Sequence, residues 1–427
     1  MMKRTHTALA TLSVALLAVT GCAGTAEETD PAPTESAQAI SDAGLETLIA
    51  AGGGTTGAAG AEEIKIGWVN ADTGPGSTPE ITAQTDAAIE LINTQLGGAG
   101  GSTIVLDKCE VTSEESGLEC GQKFANDDEI IAVLQGNIAT GSASFHSVMD
   151  ASGIPIIGAL PLTGEDGMAP NGYYTAPGSF STVPAVLELV GRYLQPKSVA
   201  VITVEGEVVS TQIGTAVAAA LRGMGRDVKQ AAIELSATDV TAPLVAAGVQ
   251  DADLIIPLVI LPPQCIAVDA ALQALATDAT VLALAACQSI AVKEALGDYP
   301  AWTYLAAYPN PDVESADAEV QAQLEAYKEW YATLPAAEMD GVIPLQGALT
   351  LQRHLNEATE PSREAVGAAA AEWTGPVFLG SPIVAYGSVM TPIPLPALPS
   401  LATRAYAYDG DGGWTDVTDG AWLGLSQ

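Results

Sequence analysis

The sequence predicts an α/β protein built as two doubly wound, Rossmann-like lobes. Strand-type and helix-type segments alternate along the body from residue 63 onward, and the alternating series occurs twice. The 365 residues from Glu63 to Gln427 also exceed the roughly 300 that one core usually serves. Alternation of this kind gives a parallel sheet covered by helices on both faces.

At the N-terminus, Lys3 and Arg4 precede an apolar run over residues 8–19, which leads into Val19-Thr20-Gly21-Cys22. A basic start, a short apolar stretch and small residues before a cut site describe an export signal over residues 1–21. The run falls short of the roughly 20 apolar residues that a spanning helix needs. Small residues leading directly into Cys22 look like a bacterial lipobox. Cys22 is therefore expected to carry lipid and to hold the protein outside the cytoplasm, anchored to the membrane. Residues 22–62 read as an acidic tether, with seven acidic residues and no Lys or Arg. Such a segment cannot bury enough apolar surface to offset its ordering entropy. One stretch, residues 39–51 with Ile40, Leu45, Leu48 and Ile49, has the pattern of a transient helix.

The body opens with Ile64-Lys65-Ile66-Gly67-Trp68-Val69, alternating as a strand does, and a loop rich in Gly, Pro and Thr follows. Ile89, Ile92 and Leu96 recur at helical spacing and stop at the glycine run of residues 97–101. That run ends a helix instead of opening one after a strand, so it is a turn and not a phosphate cradle. A strand at 103–107, a helix near 121–126, a strand at 130–134, a helix from Ser142 and a strand at 154–157 complete the first series.

The second series has helices at 183–194, 212–224, after Thr241, at 266–276 and at 290–296. Its strands are expected at 198–203, 228–233, 254–260, 281–285 and 303–307. Val320, Leu324, Tyr327, Tyr331 and Leu334 then form one long helical stripe. Helices at 345–358 and 362–373 and a Pro-rich, strand-forming tail complete the chain.

The chain carries 15 Lys and Arg against 51 Asp and Glu, a net charge of −36. A surface this acidic repels phosphate backbones and anionic lipid. Nucleic acid is excluded as a partner, and the acyl chain is left as the membrane contact. Besides Cys22 there are Cys109, Cys120, Cys265 and Cys287, which allow three pairings. In an oxidising compartment the local pairs Cys109–Cys120 and Cys265–Cys287 are expected. A zinc site is the rival, but these spacings are not the close pairs zinc prefers. No nucleophile elbow, His-Glu-x-x-His or phosphate loop occurs, so no enzyme, metal or cofactor is expected. His146 and His354 are read as helix-surface or capping residues.

Four landmarks follow one another along the body. They are the opening strand with Thr73-Gly74-Pro75, then Ala88-Ile89-Glu90-Leu91-Ile92-Asn93, then Gly153-Ile154-Pro155-Ile156-Ile157, and the long helix at 319–334 followed by Asp340-Gly341. In these the chain resembles the leucine/isoleucine/valine-binding type of periplasmic binding proteins, the type I fold. The resemblance implies two lobes joined by three crossings, near residues 175–181, 306–311 and 386–390. The first lobe is then 63–178 plus 310–386, and the second 179–309 plus 387–427. It further implies a monomer that captures a small-molecule ligand by hinge closure and delivers it to ABC permease subunits. A ligand sensor without a permease, or an envelope lipoprotein that has lost its ligand, are the alternatives.

In open α/β sheets ligands bind beyond the carboxyl ends of the strands. The loop at 136–144 offers hydroxyls together with helix N-terminal amides, a seat for a carboxylate or carbonyl oxygen. Asn137, Thr140 and Ser142 are its expected contacts, with helix capping by Ser142 or Ser144 as the other use of those hydroxyls. The resemblance implies a Ser or Thr where Thr140 stands, and a hydroxyl in the second loop, where this chain has Leu160-Pro161 ahead of Thr163. In the second lobe it implies aromatic residues where Val208 and Ile260 or Leu261 stand, and an acidic group near Gln288, which is neutral. An unpaired polar atom on a ligand costs about 1–3 kcal/mol in such a lining. The expected ligand is therefore small and largely apolar with one anchored polar end, an amino acid or a hydrophobic carboxylate.

Overall fold

The computed structural model describes residues 39–74, 77–335, 342–391 and 393–425. The export signal, Cys22, Pro75, Asp340 and Gly341 lie outside the described residues, as does the side chain of Val208.

The first described element is a helix, α1 (Asp42–Gly52). It is capped by the Ser41 side chain and ended by Gly53 in the left-handed conformation. Residues 42–52 are therefore not flexible tether. Leu48 is fully buried in the first-lobe core, with Ile40, Leu45 and Ile49 packed around it. Arg353 donates to the carbonyls of Ala50 and Ala51, and Asn356 to that of Gly52. Composition could not show this, because the apolar stripe finds its partner surface about 300 residues away in sequence.

The first lobe continues with β1 (Glu63–Asn70), α2 (Pro79–Gln95), β2 (Thr103–Glu110), α3 (Glu114–Ala125) and β3 (Ile130–Gln135). It proceeds through α4 (Ser142–Ser152), β4 (Ile156–Gly158), α5 (Gly164–Met168) and β5 (Gly172–Tyr174). The strands form one parallel sheet, order β2-β1-β3-β4-β5. Every residue of β3 is buried, as a strand covered on both faces requires. The sequence does not announce β5, whose three residues are too few to display a period.

The second lobe opens with α6 (Thr182–Glu188), which runs into a π-helical turn at Leu189–Leu194. Then come β6 (Ser198–Glu205), α7 (Val208–Gly223), β7 (Asp227–Glu234), α8 (Thr241–Ala246) and β8 (Leu254–Pro257). α9 (Pro262–Leu275), β9 (Thr280–Leu284), α10 (Ile290–Leu296) and β10 (Thr303–Ala306) follow. The chain then returns to the first lobe for α11 (Ala318–Tyr331), α12 (Val342–Glu357) and α13 (Arg363–Glu372). Leu324, Trp330, Leu345 and Leu349 complete the core that holds Ile66, Ile89 and Ile92. Finally β11 (Arg404–Tyr408) and β12 (Trp414–Asp416) extend the second sheet to the order β12-β11-β10-β9-β8-β6-β7. β11 lies antiparallel to both β10 and β12.

The chain passes between the lobes after β5, after β10 and before β11. The third passage falls later than residues 386–390. Tyr386 donates its hydroxyl to the Tyr174 carbonyl, and Val389 packs beside Tyr174, so this stretch still lies against the first lobe. The return comes near residues 399–403, where Thr403 pairs with Leu423 and donates its hydroxyl to the Ala306 carbonyl. Pro376, Pro382, Pro394, Pro396 and Pro399 keep the preceding stretch irregular, because proline has no amide to give a ladder.

Candidate ligand-binding site

At the carboxyl end of the first sheet, α4 begins beside the start of α3. Gly141 makes this approach possible. Its φ is +86°, and a Cβ there would lie 2.3 Å from the Ser113 carbonyl oxygen. The neighbouring carboxylate of Glu114 then caps α4. Its Oε1 accepts from the Gly141 amide at 3.3 Å, and its Oε2 from the Ser144 amide at 3.2 Å and the Ser144 hydroxyl at 2.6 Å. The bond from the Ser144 hydroxyl leads the effects that hold the Glu114 carboxyl below its ordinary range. Neither Ser142 nor Ser144 is the cap. Two of the amides expected to seat a ligand's carboxylate, those of Gly141 and Ser144, already hold one from the protein itself.

Deeper in the same lobe, Asp166 ties the two strand-end loops together and is fully buried. Its Oδ1 accepts from Gln135 Nε2 at 3.0 Å and Ser142 Oγ at 3.1 Å, and lies 2.7 Å from His146 Nε2. Its Oδ2 accepts from the amides of Leu162 and Thr163, both at 2.8 Å. Burial pushes the Asp166 carboxyl up, but the bonds from His146, Gln135 and Thr163 outweigh it and hold the group below its ordinary range. Ser142 and Thr163, expected from separate loops, meet here with their hydroxyl oxygens 2.8 Å apart. His146 is thus part of a buried network and not a helix-surface residue. His354 is also fully buried, edge-on to Trp373 with 4.9 Å between ring centroids.

Asn70, buried at the end of β1, fixes the remaining loop. Its Oδ1 accepts from the Asn137 amide at 2.8 Å, while its Nδ2 donates to Asp72 and to the Thr78 carbonyl. Asn137 is half-buried and Thr140 exposed. Leu160 is half-buried and Pro161 buried, and the Pro161 carbonyl presses on the first crossing. There Gly178 has φ +54°, and a Cβ would come within 2.2 Å of the Pro161 oxygen. Trp68, Leu134, Gln135, Gly136, Ala159 and Pro344 line a cavity of about 10 Å³ beneath these loops.

In the second lobe, Val208 opens α7, and Leu261 is the residue before α9. Ile260 and Leu261 are 36% and 37% exposed. Gln288 closes the 3₁₀ turn Ala285–Gln288 and is half-buried. The Cys265–Cys287 disulfide links the first turn of α9 to the Ala285–Gln288 turn, and Cys109–Cys120 links β2 to α3. Both pairings are those expected, so the cysteines are not zinc ligands. Among the described residues no group of three or more His, Cys, Asp or Glu side chains could hold a metal ion. No described helix is long and apolar enough to cross a membrane.

Sequence reasoning missed Asn70, Glu114 and Asp166. Asp166 left a signal, because Thr163 and Asp166 have the spacing of a capping box, which they form. Glu114 left none, being one exposed acid among 51 acidic residues.

Two α/β lobes exchanging the chain three times, with loops after the carboxyl ends of the parallel strands in each sheet, define a two-lobed solute-binding architecture. The sequence profile of the periplasmic binding protein family matches residues 63–383, and the chain belongs to that family. Its members bind solutes outside the cytoplasm and are not enzymes. The leucine-binding protein LivK of Thermotoga maritima is similar at 14% identity, with 84% of this chain and 98% of that one covered and a TM-score of 0.64. LivJ of Streptococcus pneumoniae, solved with isoleucine, is similar at 12% identity, with 85% and 99% covered and a TM-score of 0.64. A fatty acid ABC transporter substrate-binding protein of Thermomonospora curvata is similar at 16% identity, with 88% and 96% covered and a TM-score of 0.66. Likeness at such identities establishes the fold. No curated protein sequence matches the chain.

Proposed function

We propose that the protein is the monomeric receptor subunit of an ABC-type importer, anchored outside the cell membrane by lipid on Cys22. It captures a small, largely apolar ligand between its lobes and closes on it by hinge motion. The observation that carries this reading is the difference between the two sets of strand-end loops. The first lobe brings the Ser142 and Thr163 hydroxyls together at 2.8 Å, while the second presents the part-exposed apolar side chains of Ile260 and Leu261. Full burial of such a side chain is worth about 1.5–3 kcal/mol, a gain that closure over an apolar ligand supplies. Leucine, isoleucine and fatty acid in the names of similar structures support the same class.

A thermal-shift screen of the mature protein against amino acids, aromatic acids, short fatty acids, and their amides and amines tests the ligand class. At least one apolar compound is expected to raise the melting temperature. Stabilisation by sugars or polyols alone would overturn the reading. For the anchor, Cys22→Ala is expected to release the protein from membranes or leave it unprocessed. Normal cleavage with continued membrane association would count against lipid on Cys22.

A further inference from the structure

The chemistry of the ligand's polar end follows from which hydrogens the first lobe has already committed. Ser142 Oγ lies 3.1 Å from Asp166 Oδ1, an oxygen that only accepts while the group is ionised, so the Ser142 hydrogen points there. The 2.8 Å contact between the two hydroxyls then uses the hydrogen of Thr163. Thr163 Oγ1 also accepts from the Asp166 amide at 3.3 Å. What these two hydroxyls retain is lone pairs, and with Ser142 buried it is the half-buried Thr163 that offers one to a ligand.

Two independent observations agree. Glu114 occupies the amides of Gly141 and Ser144, so a ligand carboxylate arriving at the start of α4 would meet a like charge and find those two donors already taken. In addition, none of the chain's Lys or Arg residues falls in the strand-end loops 71–78, 111–113, 136–141 and 159–163 of the first lobe. The same holds for 206–207, 235–240, 258–261 and 285–289 of the second.

We propose that the Ser142–Thr163 pair of the first lobe only accepts hydrogen bonds, so that the ligand presents an ammonium, amide or hydroxyl group to it, and that Glu114 is the residue that refuses a free carboxylate. The first clause rests on the interlobe site proposed above. The role of Glu114 can be tested without knowing the ligand.

The probe is 3-methylbutanoate, followed through the amide NMR signals of Gly141 and Ser144 in the wild-type protein and in Glu114→Ala. Glu114 is exposed and outside the core, so the variant is expected to fold. Both signals should stay fixed in the wild type and move in a saturable way in Glu114→Ala. Equal movement in both proteins, or none in either, would overturn the role of Glu114. Calorimetry with 3-methylbutanoate, 3-methylbutanamide and 3-methylbutylammonium tests the anchor. The amide or the ammonium is expected to bind at least about tenfold tighter than the carboxylate, with Glu114→Gln narrowing the gap. A wild-type protein that prefers the carboxylate would overturn the proposal. If none of the three binds in calorimetry, the fault lies with the assumed apolar ligand class, and the NMR comparison still decides for Glu114.

Discussion

Asp166 holds the loops after β3 and β4 in register, and its five partners make it costly to change. Asn at this position would turn an amide toward groups that themselves donate. The loss is expected to be about 3 kcal/mol, the usual cost of stripping one partner from a buried charged network. Urea unfolding of Asp166→Asn measures it, and a loss under about 1 kcal/mol would show that the network is not what positions Ser142 and Thr163. His354 gives a pH signature. Burial, reinforced by the Arg353 charge beside it, lowers its pKa from 6.5 to about 3. The folded value lies below the unfolded one. The neutral ring's contribution to stability is therefore whole above pH 6.5 and is lost progressively as the pH falls toward 3. The slope approaches about 1.4 kcal/mol per pH unit in that window. Unfolding midpoints measured between pH 6.5 and 5 should fall less steeply in His354→Leu than in the wild type, and equal slopes would contradict the assignment. The sequence reveals two histidines in apolar helices but not their burial, because burial is decided by what packs on the helix from elsewhere.

The helices and strands beyond residue 63 were largely legible, since their periods are set by which faces are covered. What was not legible depended on distant partners. The apolar stripe of α1 looks too short to fold alone, and alone it is. The surface of α11 and α12 that it covers makes it a fixed part of the first lobe. Leu48→Ala is expected to cost about 3 kcal/mol and to speed hydrogen exchange throughout α1. A near-neutral result would mean that the helix is only loosely held. The disulfides were legible from compartment and spacing, but their position at the strand ends was only partly so. Cys265–Cys287 closes a separation of 22 residues, and Cys265→Ser with Cys287→Ser should cost about 3 kcal/mol in calorimetric or urea unfolding. It should also loosen the segments that carry Leu261 and Gln288. Unchanged stability would show that packing alone holds those segments.

At the scale of the molecule, the return of α11, α12 and α13 to the first lobe and of β11 and β12 to the second fixes three passages between the lobes. The first two follow β5 and β10. The third was misplaced because the proline-rich stretch from 374 to 403 has no period from which to read a strand. The candidate site was legible only where side-chain chemistry follows directly on a strand. Ser142 and Thr163 stood out as hydroxyls after strands, whereas Glu114 acts only because Gly141 lets α3 and α4 start side by side. Hinge closure on an apolar ligand is tested most directly by small-angle X-ray scattering of the mature protein, with and without the strongest stabiliser from the thermal-shift screen. Closure predicts a smaller radius of gyration when the compound is bound. It also predicts no change at the same concentration for Leu261→Asp, where closing would bury an unpaired charge. An unchanged radius with the compound bound, together with wild-type binding by Leu261→Asp, would contradict it.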